Sequence, residues 1–99
     1  MEKIVKQGLL YDFYGELLTD HQKEVYEDLV YDNYSVSEIA ARYSISRQGA
    51  SDLIKRIDGI LNGYEEKLHL VERFENIREK IESNPKLTSD EKKDILKDL

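Results

Sequence analysis

Three times in this chain a Ser or Thr is followed, three positions later, by a Glu or Gln, just ahead of apolar residues at helical spacing: Thr19 with Gln22, Ser35 with Glu38, and Thr88 with Glu91. In such a box the side-chain oxygen accepts from a free N–H of the first helical turn. The Glu or Gln returns a hydrogen bond to the cap's own N–H, so each box marks a helix start. A fourth candidate, Ser46, lacks the return partner but precedes Ala50, Leu53, Ile54 and Ile57, which share one helical face, and it reads as an N-cap. Four marked starts in 99 residues, with one proline and five glycines, predict an all-α protein. No strand pattern and no internal repeat competes with that reading.

The first helix is expected to bury Val5, Leu9, Leu10, Phe13, Tyr14 and Leu17, which recur at three- and four-residue intervals. The second, from Thr19, would bury Val25, Tyr26, Leu29 and Val30 and end at "YDNYS". A short third helix runs through Ile39 and Ala40 to about Tyr43. "YSIS" then forms a turn with Ile45 inward, and a fourth helix follows Ser46. This is a helix-turn-helix. Ile60, Leu61, Tyr64, Leu68, Val71, Phe74, Ile77 and Ile81 continue the helical period to about Glu82, weakened at Asn62-Gly63. An uninterrupted helix from Tyr64 to Ser83 would form an arm of about 30 Å. Pro85 breaks the pattern in "SNPK", and a terminal helix restarts at Thr88. The expected division is a helix-turn-helix domain over 1–62, with its motif at 35–57, and an arm plus terminal helix over 63–99, packed on the domain or on a partner subunit.

Composition removes several function classes. There is no cysteine, and His21 and His69 stand far apart, so neither a thiolate site nor a histidine cluster is available, and no metal or cofactor is expected. No glycine-rich phosphate loop and no nucleophile-and-base pairing stands out, so the chain is not expected to be an enzyme. No apolar run approaches the ~20 residues of a membrane span. The opening "MEKIVKQGLLYDFYGELL" carries Asp12 and Glu16 where a secretory signal stays apolar. Membrane insertion is therefore not expected, and the cytoplasm is the expected compartment.

Charge then locates a candidate surface. The net charge is -6 and the sequence pI about 4.9. Residues 1–34 hold three Lys and Arg against eight Asp and Glu, and residues 58–99 hold eight against eleven. Residues 35–57 reverse the sign, with Arg42, Arg47, Lys55 and Arg56 against Glu38 and Asp52. Affinity for phosphate, if present, is local to the motif. On a helix capped by Ser46, the outward residues are Arg47, Gln48, Ser51 and Asp52, with Lys55 and Arg56 a turn further on. Arg pairs with guanine and Gln with adenine in a major groove. Ser51 suits base or phosphate, while Lys55, Arg56 and Arg42 suit phosphates. Asp52 can steady Lys55 or Arg56, or exclude some bases. Among the tyrosines, Tyr14, Tyr26 and Tyr43 fall on apolar stripes, and Tyr31 and Tyr34 stand in a loop, where stacking on single-stranded RNA is the alternative use.

The stripe Tyr64, Leu68, Val71, Phe74, Ile77 and Ile81 is longer than a small helical head can cover, which predicts a homodimer. An adaptor that binds a protein or an RNA through the arm and the acidic surface is the competing function class.

"LTDHQKEVYEDLVYDNYSVSEIAARYSISRQGASDLIKRI" resembles the helix-turn-helix of the fourth region of bacterial sigma factors. "LYDFYGELLTDHQ", followed in order by "EIA", "SISRQ", "IKR" and "YEEKLHL", resembles more closely the YlxM-type helix-turn-helix family, over at least Leu10 to Leu70. That resemblance implies a sigma-region-4-like helical domain, DNA binding in transcription regulation, and an association with the signal recognition particle pathway through neighbouring genes. The chain departs from the family at Gly49-Ala50, where alanine and a larger branched residue are usual. A glycine inside a helix costs about 1 kcal/mol relative to alanine, which implies either a less firmly held reading helix or a backbone that approaches phosphate more closely.

Overall fold

The computed structural model describes residues 2–98, and among these there are six α-helices and no strand. Helix α1 (Lys3–Tyr14) runs into a 3-10 turn (Gly15–Leu17) and is followed by α2 (Asp20–Val30), α3 (Val36–Arg42), α4 (Arg47–Leu68), α5 (Leu70–Glu82) and α6 (Ser89–Lys97). The chain is all-α, as the caps predict. All three capping boxes form in both directions: Thr19 with Gln22, Ser35 with Glu38, and Thr88 with Glu91. The chain forms two compact units, one ending at Leu68 and one beginning at His69.

In the first unit, α1 to α4 enclose a core of Leu10, Tyr14, Val25, Tyr26, Ile39, Ala50, Ile57 and Leu61, all essentially inaccessible to solvent. The face that α1 buries differs from the expected stripe. Gln7, Leu10, Tyr11 and Tyr14 point inward, with Leu18 beyond them, whereas Val5 is 50% and Leu17 57% exposed. The cause is the amphipathic character of Gln7 and Tyr11, which bury their apolar stems because their polar ends find partners. Gln7 Nε2 donates to Asp58 at 3.1 Å, and Tyr11 OH donates to Glu27 at 2.5 Å. A stripe drawn from aliphatic residues alone is therefore rotated from the true one. Leu29 and Val30 are half-buried, and Ile45 is exposed rather than inward.

Helix α4 crosses Asn62-Gly63 without a break. Asn62 Nδ2 donates back to the Asp58 carbonyl at 2.8 Å, and α1 holds the helix beyond that point. The Tyr14 ring lies 6.0 Å from that of Tyr64, and Tyr14 OH donates to Glu65 at 2.6 Å. The helix ends at Leu68 because His69 adopts a left-handed conformation, φ 56°, so the single arm expected from Tyr64 to Ser83 is interrupted there. In the second unit α5 and α6 pair, and Lys92 Nζ donates to the Glu82 carbonyl at 2.6 Å. Among the described residues, no helix is long and apolar enough to cross a membrane.

Candidate nucleic-acid interface

The helix-turn-helix is built by local backbone chemistry at both ends of its turn. Helix α3 closes in a Schellman arrangement. Ile45 N–H donates to the Ala40 carbonyl at 3.0 Å and Ser44 N–H to the Ala41 carbonyl at 3.4 Å, with Ser44 left-handed at φ 55°. Two residues later Ser46 Oγ accepts from Gly49 N–H at 2.9 Å and opens α4. A side chain at position 49 would place its Cβ 3.0 Å from that hydroxyl. The glycine thus leaves the cap room, and its place in the first turn lessens the propensity cost expected of a helix interior. Ala50 is fully buried, and so nearly is Ala40. Small residues on both helices suit the close pairing of α3 with α4.

Helix α4 divides cleanly by face. Ala50, Ile54 and Ile57 are buried, while Arg47, Gln48, Asp52, Lys55 and Arg56 are exposed and Ser51 is half-exposed. Arg47, Gln48 and Ser51 line one shallow depression of about 430 Å³, with Val36 from the first turn of α3 as its fourth wall. Val36 is half-buried. No periodic signal marks it, and only the Ser35–Glu38 box, which fixes where α3 starts, could have pointed to it. Asp52 engages neither Lys55 nor Arg56 among the contacts seen. It accepts instead from Gln48 Nε2 at 2.9 Å.

Arg42 stands apart from the other cations. Its guanidinium donates to Asp28, which is 2% exposed, and to Glu24 at 2.9 Å, and it lies 5.3 Å from the centre of the Tyr43 ring. Tyr43 OH donates to the other Asp28 oxygen at 2.6 Å, and the His21 ring meets Tyr43 edge-on at 5.5 Å. Burial first, and then the bond to Asp28, push the Tyr43 hydroxyl well above its ordinary pKa. Asp28 and Glu24 thus tie α2 to the end of α3. Sequence reasoning missed both, because neither the buried Asp28 nor the exposed Glu24 carries a local signature of a partner in another helix. Tyr31 is likewise engaged, with OH to Asp12 at 2.8 Å and its ring edge-on to Tyr11 at 5.7 Å.

The residues expected at a dimer contact are not uniformly placed. Leu68 is 47% and Ile77 43% exposed; Tyr64, Phe74 and Ile81 are half-buried, and Val71 is buried.

Among models of known protein families, UPF0122, described as "Putative helix-turn-helix protein, YlxM / p13 like", matches residues 1–99. Among curated proteins, the chain is 50% identical over 74 residues to the UPF0122 protein of Caldanaerobacter subterraneus subsp. tengcongensis, covering 75% of this chain and 63% of that protein. It is 39% identical over 90 residues to the UPF0122 protein of Oceanobacillus iheyensis, covering 91% and 86%. It is 41% identical over 95 residues to the UPF0122 protein YlxM of Bacillus subtilis, covering 95% and 86%. The match thus spans less than two thirds of the first relative's length.

Proposed function

We propose that this chain, which belongs to the UPF0122 family of helix-turn-helix proteins, binds duplex DNA by laying the first turns of α4 in the major groove. The observation that carries the reading is the division of α4. An apolar face is buried, and a face bearing Arg47, Gln48, Lys55 and Arg56 is open to solvent, in the segment 35–57 whose net charge is positive. Arg47, Gln48 and Ser51 take base edges, while Lys55 and Arg56 take phosphates. Ser46 acts through the cap that orients the helix. Arg42, held by Asp28 and Glu24, braces α3 and contributes less to phosphate binding than its charge suggests.

Three free cations per motif is a small number. A two-fold dimer would place two motifs on two half-sites, and the exposed Leu68 and Ile77 support pairing. A role in transcription regulation in the cytoplasm follows from the same reading. A link to the signal recognition particle pathway is supported by the family resemblance alone.

Fluorescence anisotropy on a labelled random-sequence duplex tests the reading. Two to three neutralised phosphates per motif give a slope of log affinity against log salt of about -2 to -3, and about twice that for a dimer. Absence of any salt-dependent duplex affinity would reject it in favour of a protein- or RNA-binding adaptor.

A further inference from the structure

Resting on the DNA reading above, we infer that the depression between α3 and α4 reads a T·A base pair, Val36 packing on the thymine methyl and Gln48 accepting from the adenine amino group.

Val36, Arg47, Gln48 and Ser51 line this depression. Three of the four are polar, and the fourth is a branched aliphatic. Val36 is the first residue of α3, and its position is fixed by the reciprocal bonds of Ser35 and Glu38, 3.0 and 3.1 Å. A β-branched side chain on a capped helix has little rotamer freedom, so it presents a firm apolar wall. The edge of a base pair in the major groove offers donors, acceptors and one apolar group, the C5-methyl of thymine. An aliphatic wall beside three polar readers therefore matches thymine and no other base.

The second half of the argument is the orientation of Gln48. Asp52 can only accept, so the Gln48 atom facing it at 2.9 Å is the donor Nε2. That bond takes up one of the two Nε2 hydrogens and sets the orientation of the amide, leaving Oε1 as the acceptor offered to the groove. An acceptor selects an exocyclic amino group, on adenine or cytosine. Thymine's partner is adenine, so both side chains select the same pair. Asp52 is thereby a positioning residue for Gln48. The same contact separates DNA from RNA, since uracil lacks the methyl group and side chains do not reach the deep major groove of A-form RNA.

The test begins by selecting bound duplexes from a randomised pool with the full-length protein. The selected duplex is then resynthesised with deoxyuridine replacing one thymine at a time, which removes only the methyl. One position is expected to lose about 4-fold in affinity, the value of one buried methyl. At the paired adenine, 2-aminopurine, which moves the amino group out of the major groove, is expected to cost about 5-fold or more. Val36→Ala should bind the thymine and uracil duplexes equally, and Gln48→Ala should be indifferent to 2-aminopurine, with helical circular dichroism unchanged in both. The inference is overturned if uracil is tolerated at every position, or if Val36→Ala weakens both duplexes alike. A pool in which no duplex is enriched, with no salt-dependent affinity, overturns the DNA reading itself and this inference with it.

Discussion

Gly15 sits where α1 meets its 3-10 turn, and a Cβ there would lie 2.8 Å from the Tyr11 ring. That ring cannot give way, because its hydroxyl bonds Glu27 and its face lies 5.7 Å from the Tyr26 ring. Gly15→Ala is therefore expected to destabilise the protein by about 1–3 kcal/mol, the usual cost of overpacking a filled core. A lower midpoint in urea denaturation would register the loss, whereas an unchanged midpoint would show the ring to be mobile. Gly49 presents a milder form of the same crowding, against the rotatable Ser46 hydroxyl instead of a locked ring. Both glycines were visible in the sequence, but their neighbours were not. The residue that would crowd Gly15 is four positions back, and its immobility depends on Glu27 and Tyr26 in another helix.

At the scale of the elements, tyrosine–carboxylate bonds fasten helix to helix. Tyr11 joins α1 to Glu27 of α2, Tyr14 joins α1 to Glu65 of α4, Tyr26 joins α2 to Asp58 of α4, and Tyr43 at the end of α3 reaches Asp28 of α2. Burial above all, and then the neighbouring carboxylate, raise the Tyr11, Tyr26 and Tyr43 hydroxyls above their ordinary pKa. For Tyr31 the bond to Asp12 is the larger cause, and its pKa reaches about 12. A tyrosine whose folded pKa exceeds its unfolded value of about 10 retains a proton that the unfolded chain releases. The stabilisation is thus complete below about pH 10 and declines as pH rises beyond it. The urea midpoint is expected to fall in that range, and tyrosinate absorbance of the native protein should lag behind that of the protein in urea, with Tyr31→Phe removing the step near 12. Superimposable native and unfolded titrations would contradict this account. These bonds also explain what was legible. Helix starts follow from caps within three residues, so all three boxes could be read directly. The face of α1 and the continuity of α4 through Asn62-Gly63 depend on Tyr11, Gln7, Tyr14 and Glu65 finding partners in distant helices, and the local pattern carries no trace of those pairings. At the candidate interface, the outward face of α4 was readable from its period. The engagement of Arg42 and the contribution of Val36 were not, because both are set by which helices come together.

At the scale of the whole molecule, part of the acidity that argues against DNA serves to join helices, since Asp12, Glu27, Asp28, Asp58 and Glu65 each accept from a tyrosine. The cations of α4 have no such tertiary partners among the contacts seen, and this asymmetry supports the proposed local affinity for phosphate in a chain of net charge -6. Assembly decides how many such sites act together. Light scattering on the intact chain is expected to give twice the 11.6 kDa of one chain, and Leu68→Glu with Ile77→Glu should return it to one. A single-chain mass at micromolar concentration would exclude the dimer while leaving the motif intact. The central claim, that the exposed face of α4 grips DNA, is tested most directly by the double variant Arg47→Glu, Lys55→Glu. Both side chains are exposed, so helical circular dichroism and the urea midpoint should match the parent, while duplex affinity at low salt falls at least 10-fold from the reversal of one base-reading and one phosphate-facing charge. A correctly folded double variant that binds duplex DNA as tightly as the parent would contradict the account.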